Sequence, residues 1–173
     1  MTKANENPEL ADFMASEWRR EKPDLPVEDA ALLGVLIGVV RRIERTGQTA
    51  LKKYQLLNNE HDLLACLRRK GQPYAAIAND ILSEILLTSG ALTTCVDRLI
   101  KRGLLIRAQD KHDRRKRWIK LTDKGVELID KVTTERFQLA ATILQNFNEN
   151  DKAKLKQYIL QFDAALLPIE KPE

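Results

Sequence analysis

The stretch LLTSGALTTCVDRLIKRGLLIRAQDKHDRRKRWIKLTDKG, Leu86 to Gly125, is the most informative part of the 173-residue chain. Thr88 or Ser89 is placed to cap a helix that runs to Arg102 and stops at Gly103. A short hydroxyl side chain satisfies the open amides of a first turn, and glycine accepts the left-handed turn that ends a helix. Within that helix Leu92, Val96, Leu99 and Ile100 form a narrow apolar stripe, while Thr93, Thr94, Asp97, Arg98 and Lys101 fall on the outward side. Two β-like runs follow, Leu104 to Ala108 and Arg117 to Leu121, joined by the polar, basic loop Gln109 to Lys116.

Upstream, Asn58 or Asn59 is placed to cap a helix through Arg69, with Leu63, Leu64 and Leu67 inward and Gly71 just beyond its end. After Gly71-Gln72-Pro73 come a short extended piece and a helix of about Ala78 to Leu86. The order helix, turn, helix, strand, basic loop, strand describes a winged helix-turn-helix. The expected fold class is therefore mainly α with a small β-wing, flanked by N- and C-terminal dimerisation helices.

The flanking helices follow from periodicity. Leu10, Phe13, Met14 and Trp18 mark a short amphipathic helix that ends before Pro23 and Pro26. A long helix of about Glu28 to Tyr54 carries Leu32, Leu36, Val39, Ile43, Ala50 and Tyr54 on one stripe. Thr122 caps a helix to about Phe147, striped by Ile129, Val132, Leu139, Ile143 and Phe147. Asn150 caps the last, where Leu155, Ile159, Phe162 and Leu166 repeat at coiled-coil-like spacing. This is more apolar stripe than one small lobe covers, and such a surplus is expected to bury itself in a second copy of the chain. Residues 1–57 then read as N-terminal dimerisation helices, which the resemblance given below also makes a wall of a ligand pocket, 58–121 as the winged helix-turn-helix lobe, and 122–173 as C-terminal dimerisation helices.

Composition and charge narrow the function. At 43% hydrophobic and 31% charged, the chain has the apolar share of a folded protein. Two cysteines build no disulfide framework and no secretory signal precedes them, which points to a reduced cytoplasmic compartment. The longest apolar run, Ala30 to Val40, is 11 residues, against the ~20 that a membrane span requires. No membrane partner is expected. The net charge is +4, yet residues 98–120 hold ten basic and two acidic residues while the segments on either side are slightly acidic. A positive excess focused on one helix and its wing fits double-stranded DNA as the partner.

The expected DNA contacts are Thr88, Ser89, Gly90, Thr93, Thr94 and Arg98 on the second helix of the pair, with Lys111, Arg114, Arg115 and Lys116 on the wing. Small groups and free amides at a helix start allow close approach to the duplex, and arginines suit the negative potential of a minor groove. Asp113, directly before Arg114-Arg115, is placed to pair with one arginine and leave Arg114 or Lys116 as the tip contact. Enzyme chemistry finds no footing. His61 and His112 lie on different elements, and neither a Gly-rich phosphate loop nor a G-x-S-x-G elbow is present. No cofactor and no metal site are expected, since two Cys and two His are scattered.

Leu86 to Leu105, the D-x-x-D-R-R of Asp110 to Arg115 and the closing KLTDKG of Lys120 to Gly125 resemble the multiple-antibiotic-resistance-regulator (MarR) family of bacterial transcription factors. The resemblance implies a homodimer whose winged lobes sit on a pseudo-palindromic operator, repressing until a small ligand binds. Half-sites would then lie about 10 bp apart, one helical turn. The segment EWRREKPDL, Glu17 to Leu25, resembles the extra N-terminal helix of a subgroup that responds to urate and related aromatic acids. That likeness implies Trp18, Asp62 and Arg107 as ligand-binding residues. Cys95 stands where the subgroup has a second arginine. A thiol does not replace a bidentate guanidinium, which favours a phenolic or other aromatic acid over urate itself.

Two rival readings follow from the same residues. Cys95 among polar residues, with arginines nearby to lower its pKa, would make a redox sensor that disturbs DNA contacts on oxidation. Cys66, within the apolar string LLACL, reads as inert core. A winged helix that binds protein without DNA is the other rival, although such a module has no need of so cationic a wing.

Overall fold

The computed structural model describes residues 8–109 and 117–170. Its elements, in chain order, are α1 (Pro8–Glu21), α2 (Val27–Lys52), α3 (Asn58–Arg69), β1 (Ala75–Ile77), α4 (Ala78–Leu82), α5 (Ser89–Lys101), β2 (Leu105–Gln109), β3 (Arg117–Leu121), α6 (Asp123–Ile143) and α7 (Glu149–Glu170). The backbone divides into two compact units, Met1–Ile129 and Asp130–Glu173.

In the first unit, α3, α4 and α5 bury one side against a small antiparallel sheet of order β1-β3-β2. The third strand is a gain over the sequence reading, which had only an extended piece there. Ala75, Ala76 and Ile77 pair with Lys120, Ile119 and Trp118, so a three-residue segment too short to show alternation is fixed by its neighbour. Leu63, Leu64 and Leu67 of α3, Ile81 of α4, Leu92, Val96 and Leu99 of α5, and Leu105, Ile119 and Leu121 of the sheet are all buried. Leu105 pairs with Leu121 and Gln109 with Arg117. The strand ends on either side of the basic loop are therefore paired with each other.

Several boundaries differ from expectation for local reasons. The N-cap of α3 is Leu57, not an asparagine: the Glu60 carboxylate reaches back and accepts from the Leu57 amide at 2.9 Å. α4 ends at Leu82 rather than Leu86, because Thr88 must be extended (φ −76°, ψ 158°) to cap α5, and the chain leaves the helix through tight turns at Ser83 to Leu87. Arg69 and Lys70 at the end of α3 clasp Glu84 in that connector, and the hydrogen bond from Lys70 holds the Glu84 carboxyl below its ordinary pKa. Thr88 Oγ1 accepts from the Ala91 amide at 3.2 Å, and Gly103 ends the helix at φ +71°. Thr122 caps α6 by accepting from Gly125 at 3.0 Å.

In the second unit α6 ends at Ile143, four residues early, and α7 is capped by Asn148 rather than Asn150. Asn148 Oδ1 accepts from the Asp151 amide at 3.0 Å while Asp151 accepts from the Asn148 amide at 3.4 Å. This reciprocal pair fixes the start of α7. Leu155, Ile159, Phe162 and Leu166 all remain solvent-exposed, as do Leu32 and Ile43 on the predicted stripe of α2.

Candidate nucleic-acid interface

The N-terminal half of α5 is open. Thr88, Ser89, Gly90, Thr93, Thr94, Arg98 and Lys101 are exposed, while Leu92, Cys95, Val96 and Leu99 hold the helix from behind. The Thr93 and Thr94 hydroxyls donate to the Ser89 and Gly90 carbonyls at 3.0 and 3.1 Å. Their protons are committed to the helix, which leaves oxygen lone pairs turned outward as acceptors. A Cβ built on Gly90 meets nothing within 4 Å. No packing demand inside the chain calls for glycine there, so the missing side chain matters only to whatever approaches from outside.

Behind this face lies a buried carboxylate that the sequence reading missed. Glu60 is 1% exposed, with Arg98 Nε 3.4 Å from one oxygen and an Arg102 nitrogen 3.8 Å from the other. Arg102 also donates to the carbonyls of Gln55 at 2.7 Å and Tyr54 at 3.0 Å. The end of α2, the start of α3 and the C-terminal half of α5 are thus tied together by one acid and two arginines. The available signal was Glu60 at the third helical position, where it reads as a capping residue.

Arg107 on β2 donates to Asp97 of α5 at 2.7 Å, so the wing strand is pinned to the helix beside it. Arg117 is exposed at the start of β3. Lys111, Arg114, Arg115 and Lys116 lie outside the described residues.

The three expected ligand residues do not share a cavity. Trp18 lines one between α1 and α2, Asp62 a second beside α3 with Asn59 and Glu84, and Arg107 a third with Ser89, Thr93 and Arg117. Nor do Asp62 and Arg107 form buried ion pairs. Each is about half exposed and has its own partner, His61 Nδ1 at 3.0 Å for Asp62 and Asp97 for Arg107.

The cysteines correct the redox reading. Cys95 is 2% exposed, with Sγ 3.7 Å from the Asn59 carbonyl oxygen. Burial, reinforced by Glu60, pushes its pKa up to about 11 against the opposing pull of Arg98. Its place one residue after Thr94 suggested an outward thiol, yet the helical turn carries it to the buried side. Cys66 is fully buried beside Glu84 at 3.5 Å, and burial raises its pKa too.

Among the described residues no helix is long and apolar enough to cross a membrane, and no group of His, Cys, Asp or Glu has the makings of a metal site.

Known proteins resemble the chain at the levels of family, sequence and fold. The MarR family model matches residues 56–116, the helix-turn-helix and the wing. The transcriptional regulator PecS of Dickeya dadantii is 38% identical over 148 residues, covering 86% of this chain and 89% of PecS. Among solved structures, the organohalide-sensing regulator RdhR in its 2,4-dichlorophenol-bound form superimposes with a TM-score of 0.68 at 19% identity, covering 85% of each chain. The S. aureus MepR–DNA complex superimposes with a TM-score of 0.67 at 19% identity, covering 76% of this chain and 96% of MepR. These structures share the fold, and the extended match to PecS carries the relationship. The chain belongs to the MarR family of DNA-binding transcriptional regulators.

Proposed function

We propose that the protein works as a homodimeric repressor on a pseudo-palindromic DNA operator and releases it when a small aromatic or phenolic acid binds. The observation that carries the DNA contact is the open, hydroxyl-bearing first half of α5 with Gly90 facing empty space. Thr88, Ser89, Gly90, Thr93 and Thr94 meet the major groove, and Arg98 flanks it on a phosphate or a guanine edge. Lys111, Arg114, Arg115 and Lys116 carry the wing's charge to the adjoining minor groove.

Residues 58–121 act as the DNA-binding lobe, and 1–57 with 122–173 as the dimerising helices. Leu32, Leu33 and Ile37 on α2, and Leu155, Ile159 and Leu166 on α7, are each exposed by more than a third. An apolar surface of this extent favours association. The effector class is supported by RdhR, which holds a chlorinated phenol on the same fold.

The test is a salt titration of DNA binding by fluorescence anisotropy. With roughly six to eight phosphates neutralised by two lobes, the log–log slope is expected at about −5 to −7. A slope near zero overturns the reading. Sedimentation of Ile159→Glu, expected to shift the mass from two chains to one, tests the dimer separately.

A further inference from the structure

The open face of α5 carries a chemical bias. Between Ser89 and Val96 the chain has no Asn, Gln, Lys or Arg, the side chains that read a purine through two hydrogen bonds. The hydroxyl residues there are Ser89, Thr93 and Thr94, all exposed. Arg98, the first cation of the helix, stands four residues beyond Thr94, with its Nε 3.4 Å from the enclosed Glu60 carboxylate. The first two turns of α5 therefore meet a groove with hydroxyl and methyl groups rather than with charge.

A hydroxyl owns one proton. In Thr93 it goes to the Ser89 carbonyl at 3.0 Å, and in Thr94 to the Gly90 carbonyl at 3.1 Å. Each oxygen is left able to accept and unable to donate. The edges of the major groove sort against such a group. Guanine N7 and O6, adenine N7 and thymine O4 are acceptors and offer it nothing, whereas the adenine N6 and cytosine N4 amino groups are donors. The γ-methyl of threonine separates those two donors. An adenine–thymine pair carries the thymine 5-methyl into the groove, and a guanine–cytosine pair has no such group.

Clearance and spacing allow both contacts. Thr94 Oγ1 sits on the Gly90 carbonyl, and Gly90, where a Cβ would meet nothing within 4 Å, has no side chain to stand in front of it. Thr93 and Thr94 are chain neighbours, with Cα atoms about 3.8 Å apart, close to the ~3.4 Å rise of one base pair. Two adjacent threonines thus suit two successive pairs. We propose that each half-site of the operator presents two successive adenine–thymine pairs to Thr93 and Thr94, with the adenine N6 amino groups donating to the threonine oxygens and the thymine 5-methyls against the threonine methyls. This specificity rests on the operator-binding reading above.

The test uses duplexes that the full-length protein selects from a random pool, with binding measured by anisotropy. Purine in place of each adenine in turn deletes the 6-amino group, and uracil in place of each thymine deletes the 5-methyl. At two successive pairs of a half-site the wild type is expected to weaken about three- to tenfold with purine, the worth of one net hydrogen bond. With uracil at the same pairs it is expected to weaken about two- to fourfold, the worth of one methyl. Thr93→Val and Thr94→Val, which keep the methyl, are each expected to become indifferent to purine at one of the two pairs. Thr93→Ser and Thr94→Ser, which keep the hydroxyl, are expected to retain the response to purine and lose the response to uracil. 7-Deazaadenine at these pairs is expected to change nothing, because the threonine protons are held inside the helix. A response to 7-deazaadenine without one to purine, selected half-sites built of guanine–cytosine pairs alone, or valine variants that respond to purine as the wild type does, each overturns the proposal and leaves operator binding standing. A pool that yields no preferred sequence overturns the operator reading and this proposal with it.

Discussion

Arg98 Nε lies 3.4 Å from the Glu60 carboxylate, half of the arginine side chain facing solvent and the glutamate almost wholly enclosed. A buried acid thus sets the direction of a cation on the exposed face of α5. The same carboxylate caps α3 through the Leu57 amide and sits within reach of Arg102, which staples α2. Removing one partner of a buried pair is costly because the remainder is left unbalanced. Glu60→Ala is therefore expected to lose about 2–3 kcal/mol in urea unfolding, moderated by the ability of both arginines to rehydrate. Glu60→Gln, which still caps Leu57, is expected to lose less than half of that. Its distinctive effect is on discrimination: the ratio of operator to random-sequence affinity falls several-fold. In an Arg98→Ala background the same change is expected to do nothing further, the mark of two residues acting as one.

The Asp97–Arg107 bridge is different in kind. Both side chains are about half exposed, so the pair adds little stability, about 1 kcal/mol at most after solvent screening. Asp97→Asn is expected to leave the unfolding midpoint nearly unchanged. It frees a cation beside α5, however, and each cation that reaches a phosphate steepens the salt dependence by about 0.9 on the log–log scale. A steeper slope for the variant, by about one per lobe, is the outcome to look for in the anisotropy titration. An unchanged slope means that Arg107 stays clear of the duplex.

The winged fold was legible because its signals are local. The Thr88 cap, the Gly103 stop and the basic loop between two β-like runs each sit within a few residues of the element they define. What the sequence hid was set at a distance. β1 exists only because β3 is beside it, and Glu60 is buried only because α5 brings two arginines over it. Cys95 was misjudged for a related reason: its sequence neighbours Thr94 and Asp97 are polar, but a helix turns about 100° per residue, and that places it beside Leu92, Val96 and Leu99. The ligand residues were carried over one by one from a resemblance, with no information on whether they share a cavity.

Burial of Cys95 has a measurable consequence at alkaline pH. Its thiol ionises near 9 when exposed and near 11 in the folded chain. Between those values the unfolded chain gives up its proton first, so stability falls as pH rises through the window and levels off above it. The difference between wild type and Cys95→Ala across pH 9 to 11 is expected to approach about 2 kcal/mol, on a scale of 1.36 kcal/mol per unit. Cys66 is shifted in the same direction, so the variant keeps a slope of its own. At pH 8 the native Cys95 is expected to resist iodoacetamide, and to react rapidly once unfolded by urea. Fast labelling of the native protein would restore the redox reading.

Two glycines separate the demands of folding from those of binding. A Cβ on Gly125 would press into the Leu104 carbonyl oxygen and lie 3.1 Å from Leu121 Cδ2, whereas one on Gly90 meets open space. Backbone is a neighbour that yields little, so Gly125→Ala is expected to cost about 2–4 kcal/mol, an overpacking loss without relief. Gly90→Ala lies in a helical first turn where alanine is the better helix former by up to about 1 kcal/mol, and its thermal midpoint is expected not to fall. If α5 enters a major groove at its N-terminal end, the added methyl holds the helix off the duplex, and operator affinity drops about tenfold or more while the fold is intact. The diagnostic result is the crossing of the two effects: Gly125→Ala loses stability first and binding only as a consequence, and Gly90→Ala loses binding alone. Should Gly90→Ala bind the operator as tightly as the wild type, the first turn of α5 does not approach DNA closely, and the contact has to be sought further along the helix.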